Sequence, residues 1–81
     1  METTTERFYL TYPPALIKEP ILYLLGKKFE VITNIRGANV SHDMGLIALE
    51  MEGQLSEINR AVTWLQEQQI TVEPIEKNVI E

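Results

Sequence analysis

Phe29-Glu30-Val31-Ile32-Thr33-Asn34-Ile35-Arg36-Gly37-Ala38-Asn39-Val40, a turn at Ser41-His42-Asp43, and then Met44-Gly45-Leu46-Ile47-Ala48-Leu49-Glu50-Met51-Glu52 form the stretch that decides the fold. In its second half Ile47, Leu49 and Met51 alternate with Leu46, Ala48, Glu50 and Glu52, the period-two pattern of a strand with one buried face. In its first half Val31, Thr33 and Ile35 alternate with Ile32, Asn34 and Arg36. Two such runs joined by a short polar turn predict a β-hairpin.

Upstream of the hairpin, Pro20 opens a helix over about 20–28, where its missing N–H costs nothing. Ile21, Leu24 and Leu25 form its apolar stripe, and Lys27 and Lys28 suit the negative end of its dipole. Before it, Arg7-Phe8-Tyr9-Leu10-Thr11-Tyr12 reads as a strand stopped by Pro13-Pro14. Downstream, Gly53 ends the hairpin and a helix follows over about 55–69, with Ser56 as its cap. Leu55, Ile58, Val62 and Leu65 recur at core spacing, with Trp64 on the flank. Ile70 to Ile75 is the last strand, and Pro74 confines it to a sheet edge because proline donates nothing to a ladder.

The order βαββαβ with right-handed crossovers predicts an α+β, ferredoxin-like sandwich: a four-stranded antiparallel sheet in the order 4-1-3-2, with both helices on one face. Residues 7–76 make the domain, 1–6 a disordered N-terminal segment and 77–81 a C-terminal tail. Strand parity turns Phe8, Leu10, Val31, Thr33, Ile35, Ile47, Leu49, Met51, Ile70 and Val72 toward the helices. It turns Tyr9, Thr11, Ile32, Asn34, Arg36, Leu46 and Ala48 to the open face. Tyr9, Ile32 and Leu46 make that face too apolar for solvent alone, and the second strand is an exposed edge. Self-association as a homodimer is expected, with those three residues at the interface, through the edge or the face.

Composition narrows the function. Eighty-one residues, 44% hydrophobic and 23% charged, build one small core. The absence of Cys excludes disulfides, thiolate metal sites, iron–sulfur clusters and thiol nucleophiles. No apolar run reaches the ~18–20 residues that cross a bilayer, and the N-terminus is not patterned as a signal peptide, so a cytoplasmic location without direct membrane insertion is expected. Net charge is −5, and all of the excess acid falls in residues 29–81. A chain with no basic cluster is a poor nucleic-acid binder, and an acidic half disfavours anionic membranes. Small molecules and other proteins remain as partners.

No catalytic constellation emerges. Ser41-His42-Asp43 holds the residue types of a hydrolase triad, but neighbours on one turn do not align nucleophile, base and orienting carboxylate. His42 is the only histidine, so a multi-histidine metal site is impossible, and no cofactor is expected. The third strand has no aromatic residue for stacking on RNA, and the four glycines are isolated. Asn34-Ile35-Arg36-Gly37 stands apart. Asn is disfavoured in strands, yet its amide offers a donor and an acceptor at one point. Gly37 admits a ligand or another backbone closely. The same four residues equally describe a β-bulge carrying a surface Asn.

Phe29–Gly37, followed by Met44–Gly53, Ala61-Val62-Thr63-Trp64-Leu65-Gln66-Glu67 and Ile70-Thr71-Val72-Glu73, resembles the NIL domain over about residues 7–76. That family is named for an Asn-Ile-Leu tripeptide, is similar to small-molecule-binding ACT-type domains, and occurs at the C-terminus of methionine-import transporter ATPases. There two copies pair, bind methionine near their interface and inhibit transport. The resemblance implies that Asn34 contacts the ligand. Arg36 stands where the family has Leu, and the hairpin from Gly37 to Gly45 is shorter. The expectation is a non-catalytic regulatory module that binds methionine or a related sulfur amino acid at a homodimer interface. Asn34 and Arg36 would hold the head group, with Gly37 alongside and the side chain near Ile35 and Met44. The alternative is a protein–protein adaptor with no small ligand and a separate protein partner.

Overall fold

The computed structural model describes residues 2–16, 19–41 and 43–75. Along them run β1 (Thr4–Tyr12), α1 (Ile21–Lys28), β2 (Val31–Ser41), β3 (Met44–Gly53), α2 (Leu55–Glu67) and β4 (Thr71–Pro74). The strands form one antiparallel sheet in the order β2-β3-β1-β4, as the proline argument and crossover rule require. Pro74 lies in an edge strand opposite Phe8, and the next residue, Ile75, donates its N–H to the Arg7 carbonyl at 2.9 Å.

One core joins the helices to one sheet face. Phe8, Leu10, Tyr12, Leu49 and Met51 from the sheet meet Ile21 and Leu25 of α1 and Ile58, Ala61 and Leu65 of α2. Burial pushes the Tyr12 phenol up to about 12. The strand ends close tightly at Gly53, opposite both Thr4 and Val31; a Cβ there would lie 2.8 Å from the Glu30 carbonyl oxygen. Only glycine fits without a backbone shift.

Several boundaries differ from the sequence expectation. β1 begins at Thr4, so Thr4–Glu6, expected in a disordered segment, pair with Gly53, Glu52 and Met51. Threonines are good strand formers once a partner strand extends that far. The 77–81 tail lies outside the described residues. Ser56 does not cap α2: the chain turns helical directly after β3, and Gln54 takes the N-cap position, its carbonyl accepting the Ile58 N–H at 3.0 Å. Leu24 and Leu55, expected in apolar stripes, are exposed, and Ala61 takes the buried place on α2. At the other end of α2, the Ile70 N–H reaches the Leu65 carbonyl and the Gln69 N–H that of Gln66. This is a Schellman ending, with Gln69 in the left-handed region at φ 73° where glycine is usual.

The largest difference concerns β2. Eight helical residues make α1 about 12 Å long, whereas eleven extended residues make β2 about 36 Å long. Val31 is therefore buried and Thr33 half-buried, but everything from Asn34 to Ser41 is exposed. Ile35 faces the helix side as parity predicts, yet remains 56% exposed because no helix reaches over it. The ladder to β3 also shifts register here, with Ile35 opposite Leu49 and Gly37 opposite Ala48. Arg36 is the extra residue of a β-bulge, so the expected alternation of Arg36 with Ile35 does not carry through.

Candidate functional site

On the open face the registers set side chains in rows across the strands. Asn34 of β2 stands opposite Glu50 of β3, which stands opposite Arg7 of β1. The Arg7 Nε donates to Glu50 Oε2 at 3.0 Å. One row further, Gly37, Ala48, Tyr9 and Glu73 follow one another from β2 to β4. Two small residues beside a tyrosine leave a depression of about 210 Å³, walled by Tyr9, Asn39 and Leu46 and floored at Gly37, Ala38 and Ala48. The bulge builds it, since the register shift brings Gly37 opposite Ala48.

The expected site residues therefore separate into groups. Asn34 is exposed on the open face next to the depression, Gly37 lies in its floor, and Tyr9 and Leu46 form its walls. Ile35 points to the opposite face, and Met44 stands opposite Ser41 at the far end of the hairpin. Neither joins Asn34 within one chain. Arg36 is exposed in the bulge, and Ile32 is exposed opposite Glu52 at the other end of the face. Ala48 was expected on the open face but not in a site, and Asn39 was not singled out; that Gly37 and Asn39 stand opposite Ala48 and Leu46 depends on the register shift, which no sequence pattern displays. Ser41 Oγ donates to Asp43 Oδ1 at 2.9 Å, the local bonding of a turn. His42 lies outside the described residues.

A second concavity, about 360 Å³, lies along α2 between Phe29, Asn59, Arg60, Thr63, Trp64 and Glu67. Its groups are occupied in holding the α1–β2 junction to α2. Glu57 Oε1 accepts the Glu30 N–H at 3.1 Å, and Arg60 bonds Glu57 Oε2 at 2.7 Å and stacks 5.4 Å above Phe29. Trp64 meets Phe29 edge-on at 6.2 Å. The Glu30 N–H and then Arg60 hold the Glu57 carboxyl below the usual range. The Arg60–Trp64 spacing of four on α2 was the available signal for this cluster.

Residues 6–74 match the NIL domain family. The chain belongs to that family. It is 38% identical over 77 residues to methionine import ATP-binding protein MetN 1 of Bacillus cereus, covering 90% of this chain and 22% of MetN. The NIL chain thus spans about a fifth of that relative's length. An uncharacterised protein of Synechocystis is 31% identical over 72 residues, covering 86% of this chain and 74% of that protein. Among solved structures, the C-terminal domain of an ABC transporter ATP-binding protein from Enterococcus faecalis superposes with TM-score 0.76 at 18% identity, over 90% of this chain and 86% of that one. The likeness to that solved domain is one of fold. No helix among the described residues is long and apolar enough to cross a membrane.

Proposed function

We propose that this NIL domain is a non-catalytic regulatory module of the cytoplasm that binds methionine or a related sulfur amino acid at the interface of two copies. The observation that carries this reading is the exposed Asn34, opposite the half-buried Glu50 and beside an apolar depression, in a chain similar to a methionine import ATP-binding protein. The Asn34 amide and the Glu50 carboxylate suit an ammonium group, and the Arg36 guanidinium suits a carboxylate. Adjacent rows on one strand face lie about 7 Å apart. An unbranched thioether extending from the Asn34 row reaches the hollow at Gly37 and Ala48, between Tyr9 and Leu46. These residues replace Ile35 and Met44 as the proposed seat of the ligand side chain.

Thermal unfolding against a panel of amino acids tests the reading. Ligand that binds only the folded state stabilises it by about 2.7 kcal/mol at a hundredfold excess over Kd. Methionine is expected to raise Tm, and Asn34→Ala to abolish the rise while the protein stays folded. If no amino acid at millimolar concentration shifts Tm, the sensor reading falls. The adaptor reading then stands, supported by the exposed Ile32, Ile35 and Val40 of β2.

A further inference from the structure

Among the described residues the open face carries one ion pair, Arg7 with Glu50, in the row that begins at Asn34. The pair is joined at a single point. Arg7 donates through Nε to Glu50 Oε2 at 3.0 Å, and among the described residues neither the terminal nitrogens of Arg7 nor Glu50 Oε1 has a hydrogen-bond partner. A guanidinium is a planar fork of N–H donors and a carboxylate accepts through both oxygens, so each group keeps bonding capacity facing the row. The Glu50 side chain is only 16% exposed while that of Arg7 is 49% exposed. A carboxylate so far withdrawn from water gains more from a second donor than a solvated one does.

Charge narrows what fits there. Glu50 stands opposite Arg7, Glu52 opposite Thr5 one row to one side, and Glu73 opposite Tyr9 one row to the other. Three carboxylates around one guanidinium leave the surface acidic, so a bare carboxylate is repelled and approaches Arg7 only with a cation attached. An α-amino acid carries both charges on one carbon, the spacing that lets neighbouring members of an ion pair take one each. Arg36 is the other cation near Asn34. It is the extra residue of the bulge, has no residue opposite it on β3, and belongs to no row.

We propose that the Arg7–Glu50 pair is a clamp for the zwitterionic head group of an α-amino acid, its ammonium on Glu50 Oε1 and its carboxylate on the terminal N–H groups of Arg7. The Asn34 amide oxygen, across from Glu50, is a second acceptor for the ammonium. One step of two residues along each strand, Glu50 to Ala48 and Arg7 to Tyr9, leads to the hollow, about 7 Å away. The ligand class is therefore a free α-amino acid with an unbranched apolar side chain. This rests on the amino-acid reading of the same site and adds that Arg7, not Arg36, holds the carboxylate.

Titration calorimetry with three compounds tests the clamp: methionine, 3-(methylthio)propylamine, which lacks the carboxylate, and 4-(methylthio)butanoate, which lacks the amine. In the unmodified chain methionine is expected to bind at least about tenfold tighter than either. Arg7→Gln should erase the advantage of methionine over the amine and leave the Kd of the amine unchanged or lower. Arg7→Lys, which keeps the charge without the fork, should restore part of that advantage. Glu50→Gln should weaken methionine and the amine alike, by about tenfold. If Arg7→Gln weakens both compounds equally, Arg7 serves only to hold Glu50 and the clamp is overturned. Loss of the advantage in Arg36→Gln instead overturns it too, with the methionine reading intact. No binding of any of the three compounds to the unmodified chain overturns the clamp and that reading together.

Discussion

The two ends of β2 are alike in composition and unlike in fate. Val31 and Thr33 at one end lie beneath a helix, and Val31 belongs to the core. Ile35 and Val40 share that helix-side face at the other end, yet more than half of each side chain is open to solvent. The cause is length: α1 stops after eight residues while β2 continues for eleven. Apolar side chains that nothing covers add little to the stability of a single chain. The covered end of the strand serves the fold, and the uncovered end is available for association.

Mutations should divide along the same line. Leu49→Ala, which empties a fully buried core site, is expected to cost about 2–5 kcal/mol in urea unfolding. Gly53→Ala forces a Cβ against the Glu30 carbonyl and should cost about 1–3 kcal/mol. At Tyr12 the comparison can be sharpened with pH. Its folded value of about 12 lies above the ordinary 10.0, so the unfolded chain loses the proton first. Stability is full below pH 10, falls as pH rises toward 12, and that fall should shrink in Tyr12→Phe. Gln69→Gly relieves a left-handed residue and should stabilise by about 0.5–1 kcal/mol. Ile35→Ser with Val40→Ser should change monomer stability by no more than about 0.5 kcal/mol while weakening self-association. A loss as large as that of Leu49→Ala would erase the distinction between the two ends.

The fold was legible because independent local signals agreed. Pro74 demanded an edge, the alternation from Leu46 to Glu52 demanded a half-buried strand, and together they left one strand order. The site was legible in part. Asn34 and Gly37 stood out by propensity, and both lie at the open-face hollow or beside it. The bulge was the obstacle. A single extra residue leaves composition unchanged and alters only which neighbours face one another across the ladder. Asn39 was therefore missed, and Ala48 was placed on the open face without a role in the site; Ile35 and Met44 were grouped with Asn34 although strand alternation turns Ile35 to the other face and Met44 lies at the far end of the hairpin. Helix reach was equally hidden, because burial at Ile35 depends on where a different segment, α1, comes to an end.

Sedimentation velocity during a methionine titration, at a protein concentration where monomer and dimer coexist, addresses the ligand and the pairing together. A ligand seated between two copies must favour the dimer by its differential affinity for it. The sedimentation coefficient is predicted to climb to the dimer value as methionine is added, and to stay constant for Asn34→Ala. A coefficient indifferent to methionine in the unmodified chain would contradict the account.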